Sequence, residues 1–195
     1  APSPGLDLGG IAKGYTADAC RDLAVAMGAC GVLVSVGTSS VSVFGTRADG
    51  SSWRAGLRDP QGGPTSVAGI VELPAGGMAS LSTSGDNLGP LGVLAPEVVG
   101  RAAGSVSDRR ARETSPGGGR VFDHHIIDPR TGYPANAGVR QVSVVASSGV
   151  LAEALSTALL VDPSIDVPDV VARWGRETGT PASAKVVGLV RAEQS

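Results

Sequence analysis

Two tryptophans, two tyrosines and two phenylalanines are the only aromatic residues in this 195-residue chain. A core therefore has to be built mainly from Val, Leu, Ala and Ile. Cysteine is as scarce: Cys20 and Cys30 offer neither paired metal-ligand spacing nor a disulfide framework, and read as two small buried or half-buried thiols. Charge is thin, at 17% of residues with a formal net value of −2, and no run of one sign is sustained. That excludes the electrostatic footprint of a nucleic-acid or acidic-membrane binder. No apolar run approaches the roughly 18 residues of a spanning helix. The opening "APSPG" has neither the basic nor the apolar part of a signal peptide. What the chain has in quantity is glycine, 29 residues, with 13 prolines, which implies many tight turns. The length suits one domain, with room for a long insertion. A structured-looking motif follows the N-terminus almost at once, and this reads as the loss of an upstream segment.

Hydrophobic spacing predicts a helix over 12–27 that sets Ile11, Tyr15, Ala19, Leu23 and Ala26 on one face, with Gly28 as its stop. "VLVSVG", "VSVFG", "SSWRAGL", "SVAGIVEL" and "MASLSTSGD" then read as short strands, mostly antiparallel, separated by Gly, Asp and Pro turns. Between 88 and 120 the rhythm breaks. "LAPEVVGRAAG" has the spacing of a short helix, and "SVSDRRARETSPGGGR" has the composition of a mobile surface loop. "VFDHHIIDPRTGYP" reads as a strand entering a turn, "VRQVSVVA" as a strand, and "VLAEALSTALLV" as an apolar helix. A helix over 166–177 and a strand "AKVVGLVR" close the chain. Blocks of strands and helices without strict alternation argue for an α+β fold rather than a doubly wound parallel sheet.

Four stretches could carry chemistry. In "LDLGGIAKGY" the glycines allow a sharp turn and a close ligand approach, and residues 11–14 lie at a helix N-terminus whose amides attract anions. A lysine there opposes the helix dipole at a cost of about 0.3–1 kcal/mol unless an anion neutralises both. Lys13 is thus either a phosphate contact or a solvent-facing side chain on a glycine turn. The pattern matches neither the P-loop nor the dinucleotide fingerprint. In "VLAEALSTALL", Glu153 and Thr157 are four apart and project together from an apolar helix. They could hold Mg²⁺ beside substrate phosphate, or be a rim Glu and a Thr bonded to its own helix. "DHHIIDPRTGYP" crowds His125, Asp128, Arg130 and Thr131 around one turn. His125 could act as a base, or be structural. "STSGD", with Ser84, Gly85 and Asp86, is either a turn or a polar shelf.

Taken in order and at these separations, "LDLGGIAKGY", "TSGD", "HIIDPRTGYP" and "ALSTALL" resemble the ApbE family of FAD:protein FMN transferases. The resemblance covers essentially the whole chain but lacks the family's N-terminal segment, which helps enclose FAD. It implies an α+β fold of the tunnelling-fold type: a mostly antiparallel sheet with packed helices, incomplete at the N-terminus, spanning 1–195 with an insertion at 88–120. It also implies Mg²⁺-dependent transfer of FMN from FAD, the substrate, to a threonine of an acceptor protein, with AMP released. In that frame Lys13 contacts the pyrophosphate, the Ala12 carbonyl and Thr157 coordinate the metal together with Glu153, and His125 assists catalysis. Gly10, Ala12, Ser84, Gly85, Asp86, Asp128, Arg130 and Thr131 line the FAD site. An extracytoplasmic location, membrane-anchored through the absent segment, would follow.

Three departures stand out. The chain has "AEAL" where the family usually has "ADAL", so Glu153 reaches one methylene further. It has "VGTSS" at 36–40 where the family commonly has G-G-D, and "TSGD" leads into the long 88–120 segment. Two other readings fit the same scaffold: a Mg²⁺-dependent FAD pyrophosphatase that passes FMN to water, and a non-enzymatic flavin or nucleotide carrier whose altered "VGTSS" and "AEAL" sites have lost turnover.

Overall fold

Strict alternation in "SVSVFG" and "MASLSTSG" builds two neighbouring strands whose serines all point to one side. In the computed structural model, which describes residues 7–62, 65–85 and 125–191, these are the second and third strands of a five-stranded sheet. The strands are β1 Gly31–Val36, β2 Ser40–Gly45, β5 Met78–Gly85, β6 Val139–Ala146 and β7 Ala184–Arg191, in the spatial order β1-β2-β5-β6-β7. Every neighbouring pair is antiparallel. A separate hairpin, β3 Arg54–Arg58 with β4 Val67–Glu72, covers the other face of the sheet. There Leu57 and Leu73 join Val43, Ala79 and Leu81 in a small core.

Three helices complete the described structure: α1 Ala12–Ala26, α2 Gly149–Val161 and α3 Val167–Thr178. Ser148 starts α2 by accepting the Leu151 amide at 3.2 Å, and Asp166 starts α3 by accepting that of Asp169 at 3.1 Å. Gly179 ends α3 in the left-handed region, at φ 67°. The apolar face of α2, Leu151, Ala152, Leu155, Leu159 and Leu160, packs on Val142, Val144 and Ala146 of β6. Val170, Val171 and Trp174 of α3 close over that cluster. The fold is therefore α+β, an antiparallel sheet with helices packed on it.

Some local expectations need correcting. The apolar stripe of α1 faces away from the sheet: Tyr15 is 65% and Leu23 63% exposed, whereas Gly14, Ala17 and Arg21 are buried. The reason is that α1 lies close against α2 and over the serine side of β2, where small and hydrogen-bonding residues fit and large aliphatic ones do not. Cys20 and Cys30 are exposed, because the first lies to the flank of that buried stripe and the second in the turn before β1. The strand expected in "VFDHHIIDPRTGYP" reduces, among the described residues, to one bridge between Ile127 and Pro134 around the turn. The expectations for 88–120 and for Asp86 fall outside the described residues.

Candidate functional site

The first turn of α1 is closed by another helix. Ile11 at its N-cap supplies no side-chain acceptor, and the Ile11 and Ala12 amides donate to Leu8 O at 3.0 and 2.9 Å. The Gly14 amide donates instead to Glu153 Oε2 of α2 at 2.6 Å. A carboxylate thus sits where the helix N-terminus favours negative charge. Lys13, next along, ion-pairs with Glu153 Oε1 and donates from Nζ to Gly9 O at 3.2 Å. The anion that Lys13 and the helix end call for is, within this chain, Glu153. That carboxylate is only 2% exposed while Lys13 is 40% exposed, so the pair has one wet end and one dry end.

Such proximity requires two glycines. Where α1 meets α2, a Cβ on Gly14 or on Gly149 would overlap the carbonyl of the other. One turn beyond Glu153, the Thr157 methyl faces Gly10, 3.9 Å from where a Cβ would stand, and its hydroxyl shares a hydrogen bond with Ser84 Oγ at 3.0 Å. Ser84 also bonds Ser156 Oγ at 2.8 Å. Gly10, Lys13, Gly14, Ser84, Glu153 and Thr157 therefore form one cluster at the end of β5. Gly85 adjoins it, tight against the Arg140 carbonyl. The Ala12 carbonyl accepts the Thr16 hydroxyl at 2.8 Å on the α1 side. The "VGTSS" turn at 36–40 is anchored to the same strand end, because Ser39 O accepts the Thr83 amide at 2.8 Å.

The "DPRTG" residues lie at the other end of α2. Arg130 donates to Asp128 at 3.0 Å and to Asp162 at 3.0 Å, and its Nη2 also reaches Val161 O at 3.5 Å. The guanidinium holds the Asp128 carboxyl below its ordinary pKa; Asp162 is also held low, first by its Ser164 hydrogen bond. Thr131 Oγ1 donates to Asp128 O and accepts the Tyr133 amide. These groups spend their hydrogen bonds on the turn and on the C-terminus of α2, not on the Lys13–Glu153 cluster. His125 is exposed and stands just before Ile126, which packs on the α2 core.

A second polar centre has no counterpart in the sequence expectations. Asp18 Oδ1 accepts from Ser42 Oγ at 2.5 Å, Ser80 Oγ at 2.7 Å and Arg21 at 2.9 Å, and Oδ2 accepts the Gly149 amide at 2.6 Å. One carboxylate thus ties α1 to β2, β5 and the first residue of α2, four residues from Glu153. The signal available in the sequence was an Asp–Arg pair at i,i+3 inside a helix rich in small and apolar residues.

No group of three or more His, Cys, Asp or Glu side chains shares a possible metal position among the described residues. A cation here would draw on one carboxylate, a hydroxyl, backbone oxygen and ligand oxygens, a donor set suited to Mg²⁺. Glu153 Oε1 fits that role: it is buried and, among the described residues, has the Lys13 ammonium alone as its partner. No helix among the described residues is long and apolar enough to cross a membrane.

An antiparallel sheet with two helices on one face that meet through glycines at a lysine–carboxylate pair belongs to a known structural class. The crystal structure of the ApbE protein from Thermotoga maritima matches with a TM-score of 0.59 and 30% identity, over 96% of this chain and 51% of that one. The ApbE family model matches residues 2–89 and 90–180, and the chain belongs to that family. It is 31% identical over 170 residues to the FAD:protein FMN transferase of Salmonella typhimurium, covering 87% of this chain and 40% of that protein. With the FAD:protein FMN transferase of Treponema pallidum the identity is 32% over 163 residues, covering 80% of this chain and 37% of that one. The chain thus spans about two-fifths of the length of the curated relatives it matches.

Proposed function

We propose that this chain carries the diphosphate- and cation-binding part of an FAD:protein FMN transferase, which moves FMN from FAD to a threonine hydroxyl of an acceptor protein and releases AMP. The observation that carries the reading is the convergence of Lys13, Glu153, Thr157 and Ser84 in one cluster at the start of α1. Lys13 would bind the diphosphate, its partly exposed side chain turning from Glu153 to a ligand. Glu153, Thr157 and the Ala12 carbonyl would hold Mg²⁺, which when bound neutralises charge on the diphosphate oxygens. Gly10 leaves space for close backbone approach. The acceptor hydroxyl attacks the FMN phosphorus, the bond from that phosphorus to the bridging oxygen breaks, and AMP leaves with that oxygen. His125 is the group proposed to take the hydroxyl proton.

The test uses the protein with FAD, Mg²⁺ and a threonine-bearing acceptor domain. The expected result is an acceptor heavier by the FMN moiety and fluorescent in a denaturing gel, with AMP formed in equal amount. Release of FMN and AMP at one rate with and without acceptor would assign a hydrolase instead.

A further inference from the structure

We infer that Lys13 is a stand-in cation, occupying the Glu153 oxygen that a divalent cation needs, so that cation entry releases Lys13 toward the diphosphate and the two ligands bind as a coupled pair. This rests on the proposed function. Three observations support it. Glu153 is buried almost completely, so its charge must be neutralised whether or not a ligand is present. Its two oxygens are divided: Oε2 accepts the Gly14 amide, and Oε1 has, among the described residues, the Lys13 ammonium alone as its partner. Lys13, by contrast, has a side chain that is 40% exposed, and its second contact is a single 3.2 Å hydrogen bond to Gly9 O.

A mobile ammonium on a fixed buried carboxylate is the half of the pair free to leave. Without a ligand, Lys13 satisfies Glu153. With a divalent cation at Oε1, two positive charges would compete for one carboxylate, and the flexible one would be displaced. The freed ammonium would then stand beside the cation and add to its attraction for a diphosphate. Cation alone would therefore bind weakly, because it must first break an ion pair, and diphosphate alone would bind weakly, because Lys13 is engaged. Together they would share that single cost.

The wild-type protein allows a direct test, since Lys13 and Lys185 are its only lysines. Lys185 is exposed on β7 and serves as the internal control. Amine acetylation mapped by mass spectrometry should rise at Lys13, relative to Lys185, as Mn²⁺ is added. Mn²⁺ titrations followed by electron paramagnetic resonance should show Lys13→Met binding the ion roughly twofold to fivefold more tightly than wild type, the range of a partly exposed ion pair. Lys13→Arg, which keeps the charge, should stay near wild type. The factor by which FAD tightens Mn²⁺ binding should shrink in Lys13→Met. If Glu153→Gln abolishes Mn²⁺ binding while Mn²⁺ leaves Lys13 acetylation unchanged, or while Lys13→Met binds no more tightly, the stand-in role is wrong and the cation site survives. Absence of any Glu153-dependent Mn²⁺ binding would remove both.

Discussion

Glu153 on α2 closes the N-terminus of α1 through the Gly14 amide, a 2.6 Å hydrogen bond between residues 139 positions apart. The extra methylene of Glu over Asp is thereby used. A shorter side chain at 153 cannot keep the same reach to Gly14 without moving α2. Glu153→Asp should cost about 1–3 kcal/mol, the penalty of leaving a buried amide unsatisfied. Glu153→Gln should stay within about 1 kcal/mol of wild type, since its amide oxygen can still accept from Gly14. Urea midpoints should rank wild type and Gln above Asp. Flavin transfer should show the reverse sensitivity, with Gln the more damaging because the charge is gone.

Gly14 and Gly149 set the distance between those helices. A methyl on either meets backbone, which cannot swing aside as a side-chain tip would. Gly14→Ala and Gly149→Ala should each destabilise the protein by about 1–3 kcal/mol, as overpacking does. Both should also separate Glu153 from the Ala12 carbonyl, its proposed partner in holding the cation. Thermal midpoints and Mn²⁺ affinity should fall together. In Gly28→Ala, where no atom lies within 4 Å but φ is +95°, stability alone should change.

The Asp18 centre positions α2 from a distance. Asp18→Ala would leave Arg21, which is 3% exposed, with the solvent-facing Asp22 alone as counter-charge among the described residues. The expected loss is about 3–5 kcal/mol, that of breaking a buried ion pair. Asp18→Asn keeps an acceptor for Ser42 and Ser80 and should lose less. Because Asp18 also holds the Gly149 amide, Asn should raise the KM for FAD more than it lowers kcat. A change confined to kcat would argue against a positioning role.

The strands and helices flanking the cluster were legible in the sequence because alternation and helical spacing are local properties. The 12–27 helix, β5, β6 and the 149–161 helix appear where the patterns put them. The orientation of α1 was not legible. Its apolar residues Tyr15 and Leu23 form a clear stripe, and periodicity alone assigns such a stripe to the core. In this chain the core side of α1 is instead Gly14, Ala17 and Arg21, chosen by contact with α2 and with the serines of β2 and β5. Serines that alternate with Val and Leu also look solvent-facing, yet Ser42, Ser80 and Ser82 are buried because a carboxylate and a helix hydroxyl reach them. Within the site, Glu153 and Thr157 were visible as a pair at i,i+4. That Glu153 serves as anion to Lys13 was not, because only tertiary packing brings residue 13 to residue 153.

Acid should weaken the turn at 128–134. Asp128 is held low chiefly by its hydrogen bond from the Arg130 side chain, and then by the Arg130 amide. Asp162 is held low first by Ser164, with Arg130 a later contribution. A carboxyl whose folded pKa lies below its unfolded value adds stability above the unfolded value, about 4 for Asp. That stability is lost as pH falls through the folded value. Wild type should therefore lose urea resistance steadily from about pH 4 downward. Arg130→Gln should lower the midpoint at neutral pH and flatten that acid slope, because Asp128 would titrate closer to its ordinary range. Some slope should remain, since Ser164 still holds Asp162. The size of the difference should shrink with added salt, as the Arg130 side chain is 60% exposed. Parallel slopes for the two proteins would show that Arg130 does not set the Asp128 pKa.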